Sequence, residues 1–507
     1  MHPIFIHTAD DARAIDNNTI HDIGIPSLVL MEHAAARCTD IILENSAQDD
    51  KIFIVCGFGN NGADGMAIAR LLQQAGYNPI VAAPDIEKMS PDQKIQHGII
   101  QKLNIPILTF ESCLSMIKEA GVIVDCLFGN GLNREIKGIF LEIIDAINQA
   151  DALKIAVDLP SGLHATSGEA MPICVHADIT VALDCIKTGH LIKDGRKYCG
   201  KLIPVDIGIP NTMHENYSPS YLITGELVHQ MLPKRSNHSH KGTFGKALMI
   251  GGSSSMQGAL SMAAKACYKS GIGTLTLFIP ECIYSVIASK IDFAMAITAP
   301  SENGFFAGEA SRILKSVIQN YDVITIGNGI GRNEAAVELV KVCLQSDKPI
   351  IIDADACWAL GKIPSLLKRK SPTILTPHLR EMSYITGKTT DQYKNDPFNC
   401  AKEFLKMYPE CTVILKSDIS VIFSKDGTYV LDHPNSALAK GGSGDVLAGI
   451  VTGMFGQCRN PIQSAAVAAA IHSYCAYHAK DAASLMPEDL IDSLGDTIKD
   501  IRKEGAK

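Results

Sequence analysis

Short apolar runs bounded by glycine or polar residues recur through the first half of the chain and predict buried β-strands. These runs cover residues 51–56, 78–83, 121–125, 154–158 and 178–183. A helical pattern follows the first run at residues 65–74, and two amphipathic helices are predicted at 8–23 and 27–45. Buried strands that alternate with helices predict a mostly parallel sheet covered by helices on both faces.

The hydrophobic pattern restarts after a polar stretch at residues 210–241, which separates two domains. The second set of apolar runs covers residues 246–250, 274–279, 322–326, 349–353, 373–375 and 412–416. Residues 420–424 and 428–431 flank a short turn and predict a β-hairpin. We therefore expect two different α/β domains, at residues 1–215 and 222–507.

The composition is that of a globular protein and excludes a disordered or fibrous one. Of 507 residues, 46% are hydrophobic and 20% are charged, which is enough apolar material for more than one core. The 46 basic and 54 acidic residues give a net charge of −8, and no long run of either sign occurs. Neither nucleic acid nor a membrane is therefore expected as a partner.

The cysteines and the chain start predict a soluble protein of the reducing cytoplasm. Fifteen cysteines are scattered without any CxxC pair, unlike the clustered spacing of a disulfide framework. The first residues carry neither a basic leader nor an apolar core of a signal peptide. The longest uncharged window, residues 460–479, contains Pro461, Gln463 and two histidines, so a buried helix is favoured over a membrane span.

A glycine-rich turn follows the first predicted strand at residues 57–62 and matches GxGxxG. Such a turn lets the backbone approach a phosphate at a helix N-terminus, and Asp85 lies where a ribose-binding acid would be found. Taken alone, the motif is compatible with a nicotinamide-dependent dehydrogenase or with a tight structural turn.

Polar residues at three predicted strand ends narrow this choice. Asn60, Asn61 and Asp64 follow the first strand, whereas Asp125 and Asp158 end later strands and precede glycine-bearing loops. Ligands of open α/β sheets bind outside the carboxyl ends of the strands. Two aspartates in this position favour a functional site over helix capping.

Four segments of the first half together resemble the NAD(P)H-hydrate epimerases. They are residues 30–32, residues 60–65, Asp125 with residues 127–132, and residues 158–163. The resemblance covers about the first 210 residues. It implies a Rossmann-like α/β/α sandwich that interconverts the R and S forms of NADH and NADPH hydrated at carbon 6 of the nicotinamide ring.

The resemblance also implies a set of site residues in the first domain. Those expected to contact the hydrate are Asn60, Asn61, Gly62, Ala63, Asp64, Gly129, Asn130, Gly131, Leu132, Asn133, Arg134, Glu135 and Asp158. Asn61, Asp125 and Ser161 are expected to hold a potassium ion. Asp158 is the candidate acid/base, because inversion at carbon 6 requires proton transfer. His33 and Ala63 depart from the usual asparagine and glycine of the family.

The second half contains a glycine-rich segment at residues 439–445 that ends in Asp445. Its amides and the N-terminus of the following helix are suited to hold a phosphoryl group, and Asp445 would accept a proton from the attacking hydroxyl. The alternative is a capping aspartate after a flexible turn. No GxxxxGK[ST] sequence is present, so this is not a P-loop.

This segment resembles the anion hole of ribokinase-like kinases, and further motifs identify the NAD(P)H-hydrate dehydratases within that superfamily. The motifs are residues 240–245, 250–253 with 258–259, 327–331, 353–356, and 375–378 with 381–382. The resemblance spans roughly residues 225–500. It implies a magnesium-dependent reaction in which ADP, or ATP in some members, phosphorylates the S-hydrate, and loss of phosphate yields NAD(P)H.

The dehydratase resemblance implies two groups of site residues. Those expected to contact the hydrate are Ala259, Gly331, His378 and Asp445, and those expected to contact the nucleotide are Lys416, Ser417, Asp418, Ile419, Ser420 and Gly444. Asn328 stands where the family usually has proline. Residues 416–420 are less glycine-rich than the family pattern and add an acid near the phosphates.

Together the two resemblances imply a bifunctional repair enzyme for hydrated NADH and NADPH, with NADHX, NADPHX and ADP as small-molecule substrates. A homo-oligomer is also expected. Two alternatives stay open at this point. One is a ribokinase-like kinase for a sugar or vitamin precursor with an attached Rossmann-like domain. The other makes the first domain a ligand-sensing or protein-binding module.

Overall fold

In the computed structural model, residues 3–132, 135–478 and 481–504 are described. The chain divides into two compact units between Ser220 and Tyr221. Among the described residues, no helix combines the length and the apolar character needed to span a membrane.

The first unit is built on a seven-stranded sheet in which every pairing is parallel. Strands β1 (Phe5–His7) and β8 (Ile186–Lys187) form a separate parallel pair. The strands of the seven-stranded sheet are β2 (Ile52–Cys56), β3 (Ile80–Ala82), β4 (Ile107–Leu108), β5 (Val122–Cys126), β6 (Leu153–Val157), β7 (Ile179–Leu183) and β9 (Lys201–Val205). The sheet order is β4-β3-β2-β5-β6-β7-β9.

Helices cover both faces of this sheet. They are α1 (Ala9–Asn18), α2 (Ser27–Asn45), α3 (Asn60–Gln74), α4 (Pro91–Lys102), α5 (Phe110–Met116), α6 (Ile139–Gln149), α7 (Thr188–Leu191), α8 (Gly195–Tyr198) and α9 (Asn211–Glu215). Alternate residues of β2 belong to two cores: Ile52 and Ile54 pack with α2 and α3, whereas Phe53 and Val55 pack with α5 and α6. The strands appear in the sequence as continuous apolar runs because both faces of the sheet are buried.

The second unit contains a larger sheet that is parallel except at one end. Its strands are β11 (Lys246–Ile250), β12 (Thr274–Pro280), β13 (Met295–Ala299), β16 (Val323–Ile326), β17 (Ile350–Ile352), β18 (Thr373–Leu375), β19 (Cys411–Leu415), β20 (Ser420–Ser424) and β21 (Gly427–Leu431). Strand β10 (Ser220–Leu222) spans the division, and β14 (Ser301–Glu302) pairs with β15 (Phe305–Phe306). The sheet order is β13-β12-β11-β16-β17-β18-β19-β20-β21, and the predicted hairpin is β20–β21.

Within the described residues of this unit, twelve α-helices accompany the sheet. They are α10 (Gly225–Met231), α11 (Gln257–Lys269), α12 (Tyr284–Lys290), α13 (Ala310–Val317), α14 (Glu334–Gln345), α15 (Asp355–Leu360), α16 (Leu379–Thr386), α17 (Thr390–Asn395), α18 (Pro397–Met407), α19 (Ser443–Cys458), α20 (Pro461–Cys475) and α21 (Pro487–Glu504). Helices α19 and α20 are buried along most of their length, which explains their nearly uniform apolar sequence. The predicted fold class, two α/β domains, is confirmed.

One local expectation differs from the structure. Residues 57–62 are predicted as a glycine-rich turn, but residues 60–62 form the start of α3. The glycines that suggest a loop are required by packing: a Cβ on Gly62 would lie 2.3 Å from the carbonyl oxygen of Gly57, and one on Gly65 would lie 2.8 Å from Cys56 Sγ. Glycine here permits close approach of helix and strand rather than a flexible turn.

Candidate functional sites in the two units

The first unit has a cavity of about 460 Å³ at the carboxyl ends of β2, β5 and β6. Ligands are expected at this edge of a parallel sheet. Eight of the residues predicted from sequence line the cavity: Asn60, Asn61, Asp64, Gly129, Asn130, Gly131, Leu132 and Asp158. The structure therefore brings together residues that are separated by almost 100 positions in the chain.

Asp158 is held from three sides at the base of this cavity. Its Oδ1 accepts a hydrogen bond from Lys187 Nζ at 2.6 Å, and its Oδ2 accepts one from the backbone N–H of Asn130 at 3.0 Å. The backbone oxygen of Asp158 faces His190 Nε2 at 2.8 Å. Its φ of 68° lies in the left-handed region, which is uncommon for a residue with a side chain and often occurs at functional sites.

Further carboxylates surround Asp158. Burial, followed by the charges of Asp184 and Asp158, raises the pKa of Asp16 to about 6. Burial and the charges of Asp158 and Asp16 raise the pKa of Asp64 well above its ordinary value. Burial opposes a charge on Lys187, but Asp158, Cys185 and Asp184 outweigh it and raise the pKa of that ammonium group. The cavity thus combines a fixed cation with carboxyl groups that can exchange protons.

The three residues predicted to hold potassium lie beside this cavity. The Asp125 carboxylate accepts bonds from Ser161 N and Ser161 Oγ at 2.7 and 2.6 Å, and burial raises its pKa to about 6 against these bonds. Both polar atoms of the Asn61 amide are buried without a hydrogen-bond partner. A buried unpaired amide is costly, and its oxygen is the kind of donor that binds a hard cation. The residues present therefore fit such an ion.

Three further described residues that are predicted to contact the hydrate lie outside the cavity lining. Gly62 and Ala63 are buried on α3, where they contribute to packing. Glu135 is exposed and its carboxylate lies 3.4 Å from Lys137 Nζ. Asn133 and Arg134 lie outside the described residues. His33, the departure noted on α2, bonds through Nδ1 to the Ile207 oxygen at 3.0 Å.

In the second unit, Asp445 lies in the first turn of α19 and belongs to a buried polar network. Asn328 Nδ2 donates to Asp445 Oδ1 at 2.7 Å and to Asp353 Oδ2 at 3.0 Å. Asp353 Oδ1 also accepts from Thr376 Oγ1 at 2.7 Å and from Lys416 Nζ at 3.4 Å. Burial and the charge of Asp353 raise the pKa of Asp445 to about 6, which suits a group that accepts a proton near neutral pH.

A cavity of about 670 Å³ lies beside the N-terminus of α19. Five residues predicted to contact the nucleotide line it, together with His378: Lys416, Ser417, Asp418, Ser420 and Gly444. A Cβ on Gly444 would lie 3.3 Å from Lys416 Nζ, so the glycine leaves room beside this cation. Ile419 is buried, and its backbone oxygen accepts a hydrogen bond from Ser417 Oγ at 2.7 Å.

The remaining residues of the second unit that are predicted to contact the hydrate lie at other loops and helices. Gly331 has a φ of 87°, and its amide donates to Asp355 Oδ2 at 3.1 Å. Ala259 lies on α11 next to Gly329. His378 caps α16: its Nδ1 accepts from the Glu381 amide at 3.1 Å, and burial lowers its pKa. Neither Ala259 nor Gly331 is among the residues that line the cavity beside α19.

Sequence reasoning missed several residues that contact the predicted groups. Lys187 is the ion-pair partner of Asp158, and Asp353 and Thr376 complete the network around Asp445. The sequence holds a signal for Lys187, because it directly follows the apolar residues Cys185 and Ile186, and a lysine that is buried there needs a partner for its charge. Asp353 belonged to a motif that was recognised, but its link to Asp445 joins residues 92 positions apart.

Comparison with known proteins gives one consistent result for both units. A family model described as "NAD(P)H-hydrate dehydratase" matches residues 247–499, and one described as "YjeF-related protein N-terminus" matches residues 27–189. The bifunctional NAD(P)H-hydrate repair enzyme Nnr of Moorella thermoacetica is 32% identical, covering 99% of this chain and 98% of that protein. The chain belongs to the family of bifunctional NAD(P)H-hydrate repair enzymes.

Other members of the bifunctional NAD(P)H-hydrate repair enzymes match over similar lengths. The enzyme of Thermofilum pendens is 32% identical over 88% of this chain and 86% of its own. Among solved structures, the ADP/ATP-dependent NAD(P)H-hydrate dehydratase of Bacillus subtilis co-crystallized with ATP/Mg2+ is 29% identical, with a TM-score of 0.48. The match covers 55% of this chain and 97% of that chain. The family resemblance found in the motifs is confirmed by the two relatives that cover most of the chain.

Proposed function

We propose that this chain repairs hydrated NADH and NADPH in two steps, one in each unit. The first unit epimerises the R and S hydrates, and the second removes water from the S-hydrate with ADP, giving NAD(P)H, AMP and phosphate. The observation that carries this proposal is that one member of the repair family holds two candidate proton-transfer carboxylates, each of which accepts a hydrogen bond from a buried side chain. These are Asp158 with Lys187 and Asp445 with Asn328.

In the first unit, Asp158 is the proposed acid/base for inversion at carbon 6. Lys187 and Asn130 each bond to one oxygen of the carboxylate and thereby fix its orientation toward the cavity. Asn61, Asp125 and Ser161 would hold the potassium ion, which would supply a positive charge beside the bound hydrate. The orphaned Asn61 amide supports this assignment.

In the second unit, Asp445 accepts the proton of the hydrate hydroxyl while the hydroxyl oxygen attacks the terminal phosphorus of ADP. The bond to AMP breaks, carbon 6 then loses phosphate as the ring nitrogen supplies its electron pair, and loss of a proton from carbon 5 restores the double bond of NAD(P)H. Magnesium, when bound with the nucleotide, would neutralise charge on its phosphates. Lys416 and the amides at the start of α19, including Gly444, are the proposed phosphate contacts, because both face the adjoining cavity.

The surroundings of the cysteines support a reducing cytoplasm as the place of action. Among the described residues no cysteine forms a disulfide, and most cysteines are buried as small apolar side chains.

The test follows regenerated NADH by absorbance after mixing R and S NADH hydrate with the protein, ADP and magnesium. Wild-type protein is expected to return both epimers to NADH. Asp445→Asn is expected to abolish regeneration, and Asp158→Asn is expected to repair only the S fraction.

A matched control is Asp85→Asn, which changes an exposed aspartate of the first unit that pairs with Lys88. It is expected to behave as wild type. Absence of NADH under every nucleotide would refute the proposal. Complete conversion by Asp158→Asn, faster than spontaneous epimerisation, would remove Asp158 from its assigned role. A stable phosphorylated product without phosphate release would instead indicate a kinase.

A further inference from the structure

Asn328 lies between two carboxylates, that of Asp353, which is buried, and that of Asp445, which is partly buried. It follows β16 and is 1% exposed, and its Nδ2 lies 2.7 Å from Asp445 Oδ1 and 3.0 Å from Asp353 Oδ2. An amide nitrogen carries two hydrogens and can donate one to each carboxylate. The reverse amide orientation would bring its oxygen against both anions, so the chemistry fixes the orientation.

Few other groups restrain Asp445. Within the described part of the chain, Asn328 is the one residue whose side chain donates a hydrogen bond to the Asp445 carboxylate. The charged groups that face Asp445 are Asp353, Asp355 and Lys416. Burial and Asp353 raise the pKa of Asp445, whereas the Asn328 bond and Lys416 lower it. The amide therefore opposes the repulsion between two like charges brought close together.

The partner carboxylate is itself well anchored. Asp353 accepts from Thr376 Oγ1, and Lys416 Nζ lies 3.4 Å from the same oxygen. Asn328 thus links a fixed carboxylate at the end of β17 to the carboxylate at the start of α19. Removal of its amide would leave Asp445 free to rotate and to protonate.

We propose that Asn328 is a positioning residue of the dehydratase site, whose amide holds the Asp445 carboxylate toward the substrate hydroxyl in its proton-accepting form. This inference rests on the proposed function of the second unit. It adds a residue that acts on the substrate only through Asp445.

The test compares wild type with Asn328→Leu, which keeps the side-chain shape without a hydrogen-bond donor. The pH profile of kcat/KM for the S-hydrate is measured at saturating ADP and magnesium. Loss of the bond is expected to move the acidic limb upward by about one pH unit. From a starting value near 6, activity would fall about fivefold at pH 6 and by about a tenth at pH 8.

Two controls separate positioning from a structural effect. Asn333→Leu makes the same change in the same loop, where Asn333 caps α14 through the Ala336 amide, and should lower stability without moving the limb. Asn328→Gln keeps an amide donor and should restore the wild-type limb at least in part. Asn328→Ala replaces Asn328→Leu if the latter does not fold, with the same expected shift.

A readout independent of turnover separates this inference from the proposed function. Infrared titration with ¹³C-labelled aspartate gives the Asp445 carboxylate signal as the difference between wild type and Asp445→Asn. An upward shift in Asn328→Leu supports the inference even if no NADH is regenerated. An unchanged Asp445 titration, or an unchanged pH limb with activity lowered equally at all pH values, would overturn it.

Discussion

Lys187 and Asp158 form an ion pair that is almost fully removed from water. Their side chains are 5% and 11% exposed, and the ammonium group also donates to the backbone oxygens of Leu183 and Cys185 at 2.8 and 3.2 Å. Burial of two charges is costly, and only good geometry with further hydrogen bonds offsets this cost. Such a pair is therefore better explained by the chemistry of the cavity than by its net contribution to stability.

Replacement of Lys187 with methionine tests this interpretation. Lys187→Met leaves the Asp158 carboxylate buried without its cation, so the free energy of unfolding of the first unit should fall by about 3–5 kcal/mol. Epimerase activity should be lost, whereas dehydration of pure S-hydrate should persist. Urea unfolding by circular dichroism and separate assays of the two activities measure these effects.

The matched control is Lys51→Met, which breaks an exposed ion pair with Glu119 in the same unit. Exposed pairs contribute little, so neither activity nor unfolding should change appreciably. Equal effects of the two lysine changes would contradict a special role for Lys187.

At the scale of elements, the packing of α19 on α11 determines where Asp445 lies. Gly449 and Gly453 of α19 face α11, and a Cβ on Gly449 would lie 2.2 Å from the Ala263 oxygen. A Cβ on Gly453 would lie 2.6 Å from Ser270 Cβ. These glycines lie four and eight residues after Asp445 and permit close contact between α19 and α11. This contact fixes the position of the first turn of α19, which carries Asp445.

The change Gly449→Ala is therefore expected to lower both stability and dehydratase activity, despite the higher helix propensity of alanine. The helix would gain about 1 kcal/mol from propensity, but overpacking should outweigh this gain and lower the free energy of unfolding by about 2 kcal/mol. Dehydratase kcat should also fall as α19 shifts. The single tryptophan, Trp358, lies on α15 of the second unit, so its fluorescence follows the unfolding of this unit.

Gly495→Ala on α21 provides the comparison, because no atom lies within 4 Å of the Cβ it would add. This variant should be as stable as wild type or slightly more stable. A similar loss of stability in both variants would argue that helix contact at Gly449 is not the cause.

At the scale of the whole molecule, the net charge of −8 has the same sign as the proposed substrates. Long-range attraction therefore cannot gather nucleotides at the sites, and binding must depend on local contacts such as Lys416 and the first turn of α19.

Ionic strength tests this conclusion. Raising the salt concentration at fixed free magnesium should leave kcat/KM for ADP unchanged or increase it modestly, because salt screens repulsion between like charges. Steady-state assays at low and physiological ionic strength measure the effect. A steep fall with salt would indicate a basic region that guides ADP to its site.

Local sequence predicted much of both units, for identifiable reasons. Strands buried on both faces, such as β2 and β5, appear as continuous apolar runs. Asp158 and Asp445 were recognised because each directly adjoins a glycine-bearing segment. The same reasoning assigns residues 60–62 to a turn, which is wrong. Gly62 instead allows close packing against Gly57 and Gln93, and Gly65 against Cys56 and Cys126, and these contacts form only in the folded chain.

The sequence by itself determined the alternation of elements, the class of each unit and the residues proposed for proton transfer. Only the tertiary structure decided which groups surround them: Lys187 beneath Asp158, Asn328 and Asp353 around Asp445, and the unpaired amide of Asn61. The physical reason is that periodicity and capping are local properties of the chain. Ion pairing, burial and close helix contact instead depend on residues that meet only when distant strand ends lie at one edge of a sheet.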